Sequence, residues 1–244
     1  MPRGQTETAR FLPAGDTALV VEFGSGIDRA LNEQVIALAA LVDEVGLPGV
    51  VEAVPTFRSL FVHYDPLVTD GARLSAALSD LLLQSRAATR PGRLFRLPAC
   101  YAPEYAPDLD YVARRTELTT DEVVRLHSDT KYQVYMIGFL LGYAYMGDLP
   151  AALDLPRRDN PRVRVPAGSV AVAQRMTGIY PTASPGGWHL IGMSPVRLFD
   201  LAMPTPSLLA PGDAVRFEPV TAGEFGRLKA LPPIERFVLE DDAA

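Results

Sequence analysis

Hydrophobic positions in the first third of the chain switch between a period of two and a period of three to four. Thr17-Ala-Leu-Val-Val-Glu-Phe23 is an apolar, β-branched run and predicts a strand. Asp28 then stands where an N-cap is expected. Leu31, Val35, Leu38, Val42 and Val45 fall on one helical face before Gly46 stops the helix. Val50 to Pro55 and Ser59 to Tyr64 predict two more strands, with Leu60, Val62 and Tyr64 alternating against Phe61 and His63. Leu74, Ala77, Leu78, Leu81 and Leu82 mark the inner face of a second helix over Ala72 to Gln84, and Arg93 to Ala99 supplies a last strand. The order βαββαβ is that of a ferredoxin-like split βαβ unit. The polar segment Ser85 to Gly92, closed by Pro91-Gly92, reads as a linker.

Beyond the linker the pattern changes. Pro107-Asp108 opens a short helix, and Thr119-Thr-Asp-Glu122 is a capping box that opens another, ending near His127. Short β-like runs follow at Tyr132 to Gly138, Arg162 to Val165, Ser169 to Ala173, Trp188 to Met193 and Ala214 to Pro219. Turn signals separate them at Pro166-Ala-Gly168, Pro185-Gly-Gly187 and Pro211-Gly-Asp213. Many short strands punctuated in this way predict a closed barrel or a sandwich. The chain is thus expected to be α+β, with a small ferredoxin-like domain over 10–88 and a β-domain over 93–230.

Composition bears on partners and location. A net charge of −6 with no basic patch argues against a nucleic-acid partner. The single cysteine, Cys100, cannot form an internal disulfide and has no activating neighbour, which fits a buried bystander in a reducing compartment. Three dispersed histidines give no metal-ligand spacing, so no metal site is expected. No window approaches ~18 uninterrupted apolar residues, and Met1 to Arg10 is polar without a secretory pattern. The expected location is the cytoplasm, without membrane association.

Candidate chemistry concentrates between His127 and Trp188. Thr177-Gly-Ile-Tyr-Pro181 followed by Ser184-Pro-Gly-Gly-Trp-His189 is either a loop lending N–H groups to an anion or a pair of tight barrel turns. His127, at a helix end beside Ser128, is either a general acid–base or a histidine favoured there by the helix dipole. Arg157, Arg158 and Arg162 cluster near one turn, with Arg164 beyond. Their forks suit carboxylate or phosphate, although a solvated loop is the commoner explanation of such a run. His63 reads as the outward face of a strand, and His189 belongs either to the Gly-rich loop or to the strand after it. There is no Gly-x-x-x-x-Gly-Lys-Ser/Thr phosphate loop.

Taken in order, the second-half motifs are specific. They include Leu126-His-Ser128, Tyr135-Met-Ile-Gly-Phe139, Gly147-Asp-Leu-Pro150 and Val165-Pro-Ala-Gly-Ser-Val-Ala171. Thr177-Gly-Ile-Tyr-Pro181, Ser184-Pro-Gly-Gly-Trp188 and Leu209-Ala-Pro-Gly-Asp-Ala-Val-Arg-Phe217 follow, and Phe11-Leu-Pro-Ala-Gly-Asp-Thr-Ala18 opens the chain. The set resembles the allophanate hydrolase subunit 1 family, also called the 5-oxoprolinase B-subunit or Kip-inhibitor family, over about residues 10 to 220.

The resemblance implies a cyclophilin-like barrel for the C-terminal domain. It also implies a paralogous partner of the allophanate hydrolase subunit 2 type, which is the 5-oxoprolinase C-subunit type, with a protein of the A-subunit type as a third component. The implied activity is an ATP-dependent amidohydrolase, 5-oxoprolinase or a related allophanate or urea-type enzyme, with ATP and Mg2+ as co-substrate. Some relatives instead inhibit a sensor histidine kinase, which makes a non-enzymatic regulator the alternative. On the enzymatic reading, His127 transfers protons, Arg158 and Arg162 clamp an anion, and Gly186 and Gly187 donate backbone N–H groups. Tyr132, Tyr180 and Trp188 then shape the pocket. Three positions depart from the family pattern: Leu141 in place of a proline, Tyr143 in place of a phenylalanine, and Gln174-Arg175 where a glycine is common.

Overall fold

The computed structural model describes residues 9–85 and 92–240, and the chain divides between Arg90 and Pro91 into two compact units. Between its two end residues, the linker expected at Ser85 to Gly92 lies outside the described residues. Among the described residues no helix is long and apolar enough to cross a membrane.

The first unit is a four-stranded antiparallel sheet covered by two helices. In chain order it contains β1 (Arg10–Pro13), β2 (Ala18–Glu22), α1 (Arg29–Val45), β3 (Val50–Pro55), β4 (Ser59–Tyr64) and α2 (Gly71–Ser85). Local chemistry sets the bounds of α1. The Asp28 carboxylate accepts from the Ala30 and Leu31 amides, and Gly46 ends the helix in the left-handed region with φ 62°. Val35, Leu38 and Val42 of α1, with Leu74, Leu78 and Leu81 of α2, cover one sheet face carrying Leu19, Val21, Leu60 and Val62. The sheet order β1-β2-β4-β3 differs from expectation in one strand. The place beside β2 expected for Arg93 to Ala99 belongs to β1. Its four residues pair with β2 through a tight hairpin in which Gly15 takes φ 69°. A neighbour four residues away closes such a pair at lower entropic cost than one seventy residues away.

The second unit contains β5 (Leu94–Cys100), α3 (Leu109–Thr116), α4 (Thr120–Asp129), β6 (Tyr132–Ile137) and β7 (Ala144–Gly147). It continues with β8 (Arg162–Val165), β9 (Ser169–Ala173), β10 (Met176–Ile179), β11 (Ser184–Gly186) and β12 (His189–Met193). The last elements are β13 (Ala214–Val220), α5 (Ala222–Ala230) and β14 (Val238–Glu240). Seven strands run in the order β12-β9-β10-β7-β6-β13-β5, and Met193 paired with Cys100 closes the ring into a barrel. β14 adds to the start of β5, while β8 and β11 form a separate two-stranded ribbon. Arg93 to Ala99 is therefore largely a barrel strand, aligned in parallel with β13 over seven residue pairs. The interior holds Leu97, Val134, Met146, Val170, Val172, Ile179 and Ile191.

Two of the family departures are explained by turn geometry. The two-residue β9–β10 loop puts Gln174 at φ 50° and Arg175 at φ 63°, where glycine is the unstrained choice. Both side chains are tied down: Gln174 Oε1 accepts from Arg157 Nε at 3.1 Å, and Arg175 Nε donates to the Leu149 carbonyl at 3.2 Å. Gln174 thus holds the arginine next to Arg158.

In the β6–β7 loop, the Tyr143 amide donates to the Leu140 carbonyl at 3.0 Å and Gly142 takes φ 75°. This is a type II turn with Leu141 at its second position, where proline is favoured. Leu141 is 68% exposed. Leu141→Pro is expected to stabilise the protein by about 0.4–1 kcal/mol, raising the melting temperature by roughly 1–3 °C. Thermal unfolding followed by the fluorescence of Trp188, the sole tryptophan, measures it. A lower melting temperature would show that the turn does not accept proline.

Candidate functional site

α3 and β12 meet at Asp108. Its backbone N–H donates to the Leu190 carbonyl at 2.9 Å, and its Oδ2 accepts from the Leu190 N–H at 2.7 Å. Asp108 occupies the N-cap position of α3, yet its side chain makes no capping bond to that helix. Instead the carboxylate turns to two arginines. Arg162 grips it end-on, Nη1 to Oδ2 at 2.8 Å and Nη2 to Oδ1 at 2.7 Å, and Arg158 Nη1 reaches Oδ1 at 3.0 Å. Asp108 is 4% exposed, while the side chains of Arg158 and Arg162 are 30% and 24% exposed. Two guanidinium groups against one carboxylate leave one net positive charge, with donor edges that reach solvent. Such a centre attracts an anion.

The predicted loop residues gather beside this pair. Arg158 N–H donates to the Gly187 carbonyl at 2.7 Å, and Gly186 pairs with Arg162 across β8 and β11. Tyr180 and Trp188 are buried and form an edge-to-face cluster with Tyr143 and Tyr145; Tyr143 lies 5.3 Å from Tyr180 and 6.0 Å from Trp188. Burial raises the Tyr180 phenol above its ordinary value, opposed by the Trp188 backbone and by the nearby charges of Arg157 and Arg162. Of the two glycines, only Gly186 serves close packing, since a Cβ at Gly187 would make ordinary contacts, 3.7 Å from Pro161. Neither takes a positive φ, and a Cβ at Gly186 would lie 2.4 Å from the Tyr180 hydroxyl oxygen.

His127 and Tyr132 fall elsewhere, in the barrel interior. His127 is fully buried, with Nδ1 2.8 Å from the Tyr101 hydroxyl and Nε2 2.8 Å from Thr177 Oγ1. Thr177 Oγ1 donates to the Ala171 carbonyl at 3.1 Å, so it accepts from Nε2–H, and Nδ1 in turn accepts from Tyr101. Tyr132 donates to the His127 carbonyl at 2.9 Å, and Phe217 packs 4.5 Å from the imidazole. Burial lowers the His127 pKa to about 3 and raises the Tyr101 and Tyr132 phenols. The ring is therefore neutral at pH 7 with both nitrogens occupied. Its surroundings are those of a brace, where the sequence pointed to proton transfer.

A cleft of about 460 Å3 opens where α3 and α4 begin, lined by Tyr101, Ala106, Leu109, Asp110, Asp121 and Val124 among others. Its lining contains two carboxylates and no Lys or Arg, which does not suit an anionic substrate. Among the described residues no group of three or more His, Cys, Asp or Glu is placed to hold a metal. Sequence reasoning missed Asp108 and Tyr145 as members of the site; Tyr143 it singled out as a departure from the family pattern. In the sequence alone, Pro107-Asp108 is a helix start and nothing more.

The family model described as the carboxyltransferase domain, subdomain C and D, matches residues 9–209, and the chain belongs to that family. Within it, the chain is 34% identical to the B-subunit of 5-oxoprolinase from Bacillus subtilis (strain 168), covering 88% of this chain and 94% of that protein. It is 39% identical to the 5-oxoprolinase B-subunit of Escherichia coli O157:H7, covering 89% and 99%. The crystal structure of TTHA0988 superposes with a TM-score of 0.76 at 37% identity; the match covers 85% of this chain and 40% of that longer one. These matches bear out the resemblance that the ordered motifs carried.

Proposed function

We propose that the chain is one component of a heteromeric ATP-dependent amidohydrolase that opens 5-oxoproline to glutamate. It acts in the cytoplasm with two other proteins. One is a paralogue of the allophanate hydrolase subunit 2 type, the C-subunit of 5-oxoprolinase, and the other is of the A-subunit type. Relatives named as the B-subunit of 5-oxoprolinase support this reading across nearly their full lengths. The observation that carries it is the Arg158–Arg162 pair, whose charge Asp108 only half offsets. 5-Oxoproline is a cyclic amide bearing a carboxylate. The arginine forks receive that carboxylate, with Tyr180 and Trp188 as the wall and Gly186 and Gly187 lending backbone N–H groups. ATP phosphorylates the amide oxygen and leaves as ADP, one water adds to the activated ring carbon, the C–N bond breaks with the proton going to the amine to give an acyl phosphate, and a second water releases phosphate and glutamate. Magnesium arrives with the nucleotide phosphates. His127 and Tyr132 hold the barrel wall in place and do not touch the reacting atoms.

The test is ATP turnover by the co-assembled complex over a panel of 5-oxoproline, allophanate, urea and related lactams. Stimulation by 5-oxoproline is expected. Arg162→Lys, which keeps the charge but loses the fork, is expected to raise KM for 5-oxoproline about tenfold or more, with a smaller change in kcat. Turnover that no amide stimulates, together with co-purification of a sensor histidine kinase, would replace this reading by a regulatory one.

A further inference from the structure

Arg157 is exposed, and two contacts fix its course. Its Cβ lies 3.9 Å from the place a Cβ on Gly187 would take, and its Nε donates to Gln174 Oε1 at 3.1 Å. The Gln174 N–H donates to the Leu155 carbonyl at 2.7 Å, which ties the tethering loop to the arginine's own segment. Gln174 makes this tether from φ 50°, a left-handed conformation that a non-glycine residue keeps only where its surroundings impose it. Arg158 and Arg162 share Asp108, whereas among the described residues no carboxylate pairs with Arg157 and no acceptor bonds its Nη1 or Nη2. The side chains of Arg157 and Arg158 therefore diverge, one to Gln174 and the other to Asp108.

The wall beside these arginines is aromatic and neutral. The ring of Tyr143 lies 5.0 Å from that of Tyr145 and 5.3 Å from that of Tyr180, and Tyr145 lies 5.9 Å from Trp188. The Tyr180 hydroxyl sits against Gly186, which pairs with Arg162. Burial raises the phenols of Tyr143, Tyr145 and Tyr180 above their ordinary value, so all three are uncharged at pH 7. The charge of Arg157 opposes that shift at all three phenols, and the charge of Arg162 opposes it at Tyr180. Two separate cations are thus felt at one hydroxyl. Arg158, Arg162 and Asp108 together keep one net positive charge, and Arg157 adds a second that no paired carboxylate offsets.

We infer that Arg157 is a second anion position of this site and binds the phosphoryl group that the substrate's amide oxygen takes from ATP. The inference rests on the proposed amidohydrolase reading and adds a catalytic residue to it. The amide oxygen bonds to the γ-phosphorus, the bond from that phosphorus to the ADP oxygen breaks, and ADP leaves with the electron pair. The ring nitrogen keeps its proton, and the substrate now bears a phosphoryl dianion besides its carboxylate. Four atoms separate the carboxyl carbon from the phosphorus, so the two anions need cations set apart. The diverging side chains of Arg157 and Arg158 supply them, with the neutral aromatic wall alongside. The carboxylate is held throughout, whereas charge builds beside Arg157 as the phosphoryl moves onto the amide oxygen. Arg158 and Arg162 therefore govern substrate binding, and Arg157 governs rate.

In the assembled complex, Arg157→Gln is expected to lower kcat for 5-oxoproline-dependent ATP turnover about tenfold or more, with KM for 5-oxoproline changed by less than about twofold. That split is the reverse of the one expected for Arg162→Lys, and Arg157→Lys, which keeps the charge, recovers part of the loss. An unchanged kcat in Arg157→Gln, or a loss confined to KM, overturns the inference and leaves the amidohydrolase reading intact. Absence of 5-oxoproline turnover in wild type overturns both. A binding measurement on the full chain needs no turnover. 5-Phosphonopentanoate also sets four atoms between carboxyl carbon and phosphorus, and pentanoate lacks the phosphonate. Titrations followed by the fluorescence of Trp188 are expected to show wild type binding the phosphonate about tenfold or more tightly than pentanoate. Arg157→Gln removes that preference and leaves pentanoate binding as it was, while Arg162→Lys weakens both ligands. A preference that survives Arg157→Gln, or no preference in wild type, overturns the proposal.

Discussion

Replacing His127 with alanine is expected to remove roughly 3–5 kcal/mol of stability at pH 7, and the deficit is expected to shrink as the solution is acidified. The first part follows from packing. The imidazole fills space between Tyr101, Tyr132 and Phe217, and its loss leaves the Tyr101 hydroxyl without an acceptor and Thr177 without the N–H that it accepts. The second part follows from proton linkage. In the unfolded chain the imidazole titrates near its ordinary 6.5; in the fold burial holds it at about 3. Between those values the unfolded chain binds a proton that the native barrel does not, so acid favours unfolding and the contribution is complete only above pH 6.5. At pH 5 this one group costs wild type about 2 kcal/mol, and the alanine variant is spared that cost. Denaturant unfolding at pH 7 and pH 5, read from the buried Trp188 of the same unit, measures both. A pH-independent difference between the two proteins would mean that His127 titrates normally in the fold. If His127→Ala assembles with its partners and keeps full 5-oxoproline-dependent turnover, the brace role stands and proton transfer by this residue is removed.

What can be read from the sequence divides by distance along the chain. The caps of α1 are legible because Asp28 and Gly46 act within a turn or two of their own position. The capping box of α4 is legible for the same reason: Thr119 Oγ1 accepts the Glu122 amide and Glu122 returns to the Thr119 N–H. The alternation of β4 shows its buried face directly, Leu60, Val62 and Tyr64. Short elements rich in glycine escape. β10 is Met-Thr-Gly-Ile, and α5 contains Gly223 and Gly226, although Thr221 caps it on the Glu224 amide in a Thr-x-x-Glu pattern that is there to be read. Arg93 to Ala99 is read from sequence both as the last strand of the first sheet and, by the domain bounds, as the start of the β-domain, because it has the right residue types for any strand. Only its parallel partner β13, more than a hundred residues later, decides which sheet it joins.

The candidate site shows the same limit. The arginines and the Gly-rich loop announce themselves by type. Asp108 and Tyr145 do not, because their meaning comes from partners far away in sequence. Arg158 and Arg162 lie 50 and 54 residues from Asp108. A local signal, Pro107-Asp108 opening a helix, also accounts for the aspartate fully, so nothing in the sequence asks for a second explanation. The burial of His127 is hidden for the converse reason: its position at a helix end does not show that strands from elsewhere enclose it.

Asp108→Asn is expected to destabilise the second unit by roughly 3 kcal/mol, and the cost is expected to fall when Arg162 is also neutralised. The carboxylate accepts four hydrogen bonds, three from the arginines and one from the Leu190 amide. An asparagine side chain has one acceptor oxygen, so whichever way its amide turns, an N–H group faces another donor and two guanidinium groups lose their counter-charge. Because the arginine side chains are 30% and 24% exposed, water screens part of the unpaired charge, and the estimate sits at the low end for a broken buried pair. In Asp108→Asn/Arg162→Gln one of the two cations is gone, and the coupling between the sites is expected at about 1–3 kcal/mol. The cycle separates two pictures of the arginine pair. If Asp108 is what holds the forks in place, the double variant is more stable than the sum of the singles predicts and Asp108→Asn alone loses 5-oxoproline turnover. Additive losses with turnover retained in Asp108→Asn would mean that the arginines keep their positions without it, through the Arg158 N–H bond to Gly187 and the ribbon pairing of Arg162 with Gly186.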